Sequence, residues 1–242
     1  EISECLVGSE MCIRDSSIIA VAVFVAVGIR MITSGDGRTN RYDVEAGNNT
    51  YDNAVIENSK ISEKNKIQNN QSMLDDIMNS TQYPKQLKDL ALKNEEALEF
   101  VFDYPAEHVK ENTIDLTEEA SMDSVPLFVQ WDKRWGYEKY SGNFFAASGC
   151  GPTTLSMVVV YLTHNRDASP IAVAKYSKEA GYSVDGSGSS WTLISEGCMH
   201  YGVKAKAVAL DESRMKAELD EGHPIVVNVG PGDFTDTGIL WL

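Results

Sequence analysis

One thiol in this chain stands in a setting that suits nucleophilic chemistry. Cys150 lies in Ser148-Gly149-Cys150-Gly151-Pro152-Thr153, and an apolar run with Leu155, Val158, Val159 and Leu162 at helical spacing follows it. Pro152 suits the first turn of a helix, where its missing N–H costs nothing. The sequence therefore predicts a helix that starts at the cysteine and sets the sulfur at the positive end of the peptide dipoles. That environment favours thiolate and lowers the thiol pKa. Gly149 and Gly151 carry no side chain, which leaves room for an extended backbone to approach. Upstream, Gln130 offers a carboxamide. With the Cys150 backbone N–H it is a candidate donor to the oxyanion that thiolate attack on an amide creates. Each group also has an ordinary reading. Cys150 can be a small buried residue at the head of a core helix, and Gln130 a polar residue near a strand end. Trp131-Asp132-Lys133-Arg134-Trp135-Gly136 can be a hydrophobic clip with a surface ion pair.

The elements that must position these groups follow from periodicity and punctuation. Tyr83-Pro84 starts a helix with Leu87, Leu90 and Ala91 on one face. Asn94 caps a second helix, with Glu95 and Glu96 in its first turn and Tyr104-Pro105 at its end. Val125–Gln130 reads as a short extended stretch and Trp131–Ala147 as loop. Ser169-Pro170 opens a helix that Gly181 closes, and the serines at 187–190 cap another over Trp191–Tyr201, closed by Gly202. Val203–Leu210 alternates as a strand, Asp211 caps a helix running to Gly222, and Pro224–Val229 reads as a buried β-branched strand. Helices first and strands late make the class α+β.

Composition narrows the partners. The chain has 242 residues and a formal charge of −15, from 36 acidic and 21 basic side chains. Such a field repels phosphate backbones, so no nucleic-acid partner is expected. Four cysteines, Cys5, Cys12, Cys150 and Cys198, match neither a zinc pattern nor a disulfide framework, and a Cys150–Cys198 bridge would remove the nucleophile. No metal or cofactor site is indicated. The Gly186-Ser187-Gly188 turn is too short for a phosphate loop and precedes a helix cap instead of following a strand.

The N-terminal part divides by composition. Residues 1–15 read as a non-native leader of translated adapter sequence, in which CLVGSEMCIRDS stands out. Residues 16–33 hold the uncharged run Ser16–Ile29, which is read as a membrane anchor. Taken literally that run spans roughly 21 Å at about 1.5 Å per residue, short of the roughly 30 Å hydrocarbon layer. A leader that replaced the true start would explain the shortfall, and a signal-peptide core is the alternative. Residues 34–81 are polar, with sparse Val55, Ile56, Ile61 and Ile67, and read as a flexible stalk with at most a short helix over Met73–Met78. Residues 82–124 form a helical extension before the domain at 125–242.

Pro126, Gln130, Asp132, Trp135-Gly136 and Ser148–Thr153 together resemble the double-glycine peptidase-like cysteine peptidases, of the papain-like clan. The likeness extends to Gly188–Trp191, to Gly222–Val227 and, in Tyr83–Pro105, to the prelude of anchored extracellular members from Gram-positive bacteria. It implies a papain-like fold, with a nucleophile helix in an N-terminal helical half and a C-terminal antiparallel sheet. It also implies a Cys-His mechanism with Cys150 as nucleophile and Gln130 as oxyanion donor, a peptide or protein substrate, and placement outside the cytoplasm on a single-pass membrane anchor.

The likeness fails at the base. Where the family carries Gly-His-Phe this chain reads Gly238-Ile239-Leu240, so the histidine is absent and the sheet is expected to keep an unpaired edge. His108, His164, His200 and His223 are poor substitutes. His164, for example, ends the helix that Cys150 begins, roughly 20 Å away at about 1.5 Å per residue. The expected activity is that of a cysteine peptidase crippled in this sequence. A non-catalytic surface binding module or a cell-wall amidase on the same fold are the alternatives.

Overall fold

A computed structural model describes residues 3–8, 50–229 and 240–241, with side chains from 63 to 229. In chain order the elements are β1 (Ser3–Gly8), α1 (Thr50–Asn79), α2 (Lys85–Lys93), α3 (Leu98–Phe102), α4 (Tyr104–Glu107), β2 (Lys139–Tyr140), β3 (Asn143–Phe144), α5 (Phe145–Ser148) and α6 (Cys150–Thr163). Then follow α7 (Pro170–Glu179), β4 (Ser183–Val184), β5 (Gly188–Ser189), α8 (Thr192–Ser195), β6 (Val203–Val208), α9 (Glu212–Asp220), β7 (Ile225–Val226), β8 (Asn228–Val229) and β9 (Leu240–Trp241). Short 3₁₀ turns occupy Glu95–Ala97, Glu119–Ser121 and Gly197–Tyr201. The larger unit comprises 1–13 with 70–242; of the smaller, 14–69, the helical residues 50–69 are described.

The main core is built round α6, which is apolar on nearly every side. Leu155, Val158, Val159 and Val160 pack with Phe128, Trp135, Phe145, Val173, Leu193, Ile194, Cys198 and Val203. A helix buried this completely must satisfy its own polar side chains. Ser156 Oγ donates to Ala168 O at 2.5 Å, and Thr153 Oγ1 donates to Gly149 O at 2.8 Å. At the far end His164 takes a left-handed conformation (φ 54), and its Nδ1 lies 2.7 Å from Ala120 O. A second core joins the helices before the domain to the loop that follows Gln130. There Ile77, Leu87, Ala91, Leu98, Phe100 and Val101 pack with Phe144 and Ala146.

Capping signals correspond closely to what the sequence predicts. Asn94 Oδ1 accepts from Glu96 N at 2.9 Å, Ser169 Oγ from Ala172 N at 3.3 Å, and Asp211 Oδ1 from Arg214 N at 3.0 Å. Gly181 and Gly202 close their helices at φ +82 and +76. Pro105, expected to end a helix, instead lies in the first turn of α4, where proline is equally suited.

Larger differences lie at the two ends. Where a stalk with one short helix is expected, α1 runs for 30 residues. Met73, Leu74 and Ile77 recur at helical spacing and its last turns pack in the second core, so tertiary burial supports a helix whose composition is polar. The expected strand at Pro224–Val229 divides into β7 and β8, with only Val226 of these two fully buried. The main sheet has the order β6-β1-β7 and is parallel, not antiparallel as expected. Its central strand comes from the segment read as a non-native leader, with Leu6 opposite both Lys206 and Ile225. Backbone N–H and C=O groups are alike in every sequence, so open edges on β6 and β7 accept whichever extended segment reaches them. β8 pairs antiparallel with β9, so the edge expected to stand open has a partner. The apolar run 16–33 lies outside the described residues, and among those described no helix is long and apolar enough to cross a membrane. The mixture of helices with short strands is an α+β fold.

Replacing Leu155, which is fully buried, by alanine is expected to cost about 2–5 kcal/mol. Leu127→Ala, at an 84% exposed position, should stay within about 0.5 kcal/mol. Chemical denaturation of both variants measures the contrast, and equal losses would contradict the placement of the core.

Candidate active site

Gly149 forms the turn that delivers Cys150. Its N–H donates to Phe145 O at 2.7 Å and closes α5, while its carbonyl accepts from Thr153 N at 2.9 Å and opens α6. A Cβ here would stand 2.5 Å from the Phe145 ring. Glycine is needed because an aromatic ring lies on its α-carbon; its backbone angles (φ −88, ψ 11) demand nothing special. The space that the two glycines were expected to leave for substrate is therefore filled. Gly149 is covered by Phe145, and Gly151 is buried within α6.

Two hairpins hold the same turn from the other side. Ser148 Oγ donates to Tyr140 O at 2.9 Å and to Phe144 O at 3.0 Å, tying the turn to β2 and β3. Gly188, at φ +87, brings its α-carbon so near Ser148 O that a Cβ would stand 3.1 Å away. Ser141 Oγ donates to Gly188 O at 2.7 Å, and Tyr140 Oη lies within hydrogen-bond distance of Ser177 Oγ (2.7 Å) and Ser189 Oγ (2.6 Å). Sequence reasoning assigned none of these residues to the site. The available signals were Ser141-Gly142, a turn with positive φ at both residues, and the second glycine of Gly186-Ser187-Gly188.

Cys150 is the first residue of α6 and is partly exposed; Cys198 is fully buried, and both thiols are free. Burial pushes the Cys150 thiol up from its ordinary value, and hydrogen bonds from the Gly151 and Cys150 backbone N–H groups pull the other way without prevailing. The lowered thiol pKa expected at a helix start is thus reversed, because desolvation of a buried thiolate outweighs what the first N–H groups return. Ionising this sulfur near neutrality requires a proton acceptor.

Gln130 follows a segment pinned beside α6. Phe128 N donates to Met157 Sδ at 3.2 Å, and Trp135 Nε1 donates to Val129 O at 2.9 Å. Met157 lies two helical turns beyond Cys150 on the same face of α6, so Phe128, two residues before Gln130, is held against that face. Its Oε1 is buried and has no hydrogen-bond partner among the described residues. A half-turn of the carboxamide would place Nε2 there instead, so the buried spot can present either an acceptor or a donor. Beside it, Arg134 bridges Asp132 and Glu119 and lies 4.4 Å over the Trp135 ring, which makes the Trp131–Gly136 stretch a structural clip.

The chain's four histidines are engaged elsewhere. His108 is stacked on Tyr104, His164 closes α6, His200 is stacked on Tyr176 at 4.0 Å, and His223 Nδ1 lies 2.9 Å from Glu218. The expected place of the family's histidine, at 238–239, lies outside the described residues. Glu218, Glu221 and His223 come together as metal ligands would, but Glu218 is already bridged to Lys206 at 2.8 Å. The trio is an ion-pair cluster on α9 and the turn after it.

Residues 122–238 match the model of the Peptidase_C39 like family. No curated protein and no solved structure matches the chain. Over that span, just under half of the chain, the sequence is similar to the Peptidase_C39-like family, which is consistent with a cysteine peptidase.

Proposed function

We propose that this chain acts on peptides by acyl transfer to Cys150, with Gln130 as oxyanion donor, and that it does so outside the cytoplasm, tethered through residues 16–33. The observation that carries the reading is a partly exposed thiol as the first residue of a buried helix, within the span of the family match. The Cys150 N–H is among the first of α6, so no carbonyl within the helix takes it; it bonds its own sulfur and would turn to the oxyanion once that sulfur attacks. An orphaned buried amide oxygen costs about 1–3 kcal/mol, a cost that makes sense if the Gln130 carboxamide is kept for a ligand.

The reaction begins as water or a buffer base takes the thiol proton and the sulfur attacks the scissile carbonyl carbon. The carbonyl oxygen takes the negative charge and is met by Gln130 Nε2 and the Cys150 N–H. Collapse expels the amine and leaves a thioester, which water hydrolyses. Expelling an amine requires a proton donor, commonly an imidazole. With its four histidines engaged elsewhere, the chain is expected to acylate from activated esters yet cleave amides slowly. The same observation favours a second reading, a peptide-binding module that keeps the fold without the chemistry.

A peptidyl nitrophenyl ester separates the two, because its leaving group needs no proton. Mass spectrometry should find a covalent adduct on Cys150 and none in Cys150→Ala. Peptide bound without an adduct would establish the second reading, and equal ester consumption by both proteins would end the first.

Gln130→Leu should slow acylation by about 10²–10³-fold. It should also leave the melting temperature unchanged or raise it, because an unsatisfied buried group is removed. A lower melting temperature with unaltered acylation would mark Gln130 as structural.

A further inference from the structure

The helical extension before the domain lies outside the family match at 122–238, yet it shares a core with the loop that delivers Cys150. The contact is made at Phe100 in α3. Its ring is buried and stacked on Tyr137 at 4.2 Å, with 13° between the planes. Tyr137 Oη donates to Phe100 O at 2.7 Å, and burial raises the phenol pKa, so the donor keeps its proton. The same ring lies against the Gly136 backbone, where a Cβ would stand 2.7 Å from it.

From there the connection is entirely backbone. Gly136 O accepts from Ala146 N at 3.0 Å, and Glu138 O accepts from Phe145 N at 2.7 Å. These bonds orient α5, whose Phe145 both accepts from Gly149 N and covers Gly149 with its ring. Phe144 and Ala146, on either side of Phe145, are buried in the extension's core while Phe145 is buried in the core of α6. The residues immediately before Cys150 thus alternate between two cores, and the extension supplies most of one.

We propose that the helical extension is a positioning element of the cysteine site, with Phe100 acting through Gly136 and Tyr137 on the Phe145–Gly149 turn that sets Cys150 at the head of α6. It rests on the reading of Cys150 as the nucleophile and makes Phe100 and Tyr137 positioning residues that touch neither substrate nor sulfur.

The test is alkylation of the full chain by iodoacetamide, with Cys150 and Cys198 followed separately by peptide mass spectrometry. Cys198 is fully buried in the main core and reports global opening. Tyr137→Phe keeps the ring stack and deletes one hydrogen bond; Phe100→Leu keeps apolar volume and deletes the stack. In Tyr137→Phe, alkylation of Cys150 at neutral pH should rise about two- to tenfold, the net worth of one hydrogen bond. Its pH midpoint should move down toward that of an ordinary thiol as water reaches the turn. Cys198 should be unchanged, and Phe100→Leu should act in the same direction.

Cys150 and Cys198 accelerating together, or Cys150 unchanged in both variants, would overturn the proposal. If the ester fails to acylate the parent protein while Cys150 alkylation responds as expected, the peptidase reading falls and the positioning role stands.

Discussion

The Phe145 ring lying on the α-carbon of Gly149 is the contact on which the rest of this arrangement depends. It closes the gap between α5 and α6 and sets the first residue of a fully packed helix where it can reach solvent. Interiors are close-packed, so an added methyl group there would displace either the ring or the helix. Because α6 is apolar on nearly every side, its position is determined by the core as a whole. Only its first turn is left to be adjusted, and three separate contacts adjust it: Phe145 from within, Ser148 toward β2 and β3, and Gly188 from the β4–β5 hairpin.

That packing sets the chemical character of the thiol. A helix start offers N–H groups and a favourable dipole, yet the dry surroundings cost a thiolate more than those groups return. The amide oxygen of Gln130 is also buried, without a hydrogen-bond partner among the described residues, and such a group lowers stability.

Domain boundaries drawn by family resemblance and by packing do not coincide. The match begins at 122, but Phe144, Ala146, Trp131 and Tyr137 are covered by residues from α1 to α4. The ion pair between Lys133 and Asp103, and the bond from Asn112 Nδ2 to Lys133 O at 2.7 Å, join the same two parts. The extension and the matched span lie in one compact unit, with two cores meeting at the α5 turn.

Local signals were legible in the residues themselves. Asn94, Ser169 and Asp211 cap helices, Gly181 and Gly202 end them, and Pro152 and Cys150 mark the start of α6, because capping and turn chemistry act within a few residues of the chain. The thiol could be named as a candidate for the same reason, whereas Gln130, twenty residues away, was also singled out by the resemblance. Tertiary structure decided the polarity of the thiol, the occupant of the space beside Gly149, the helix at Thr50–Asn79 and the parallel pairing of β6, β1 and β7. Each of these depends on which distant groups share an interior: burial and strand pairing are properties of contacts between remote segments, and no local spacing of residues encodes them.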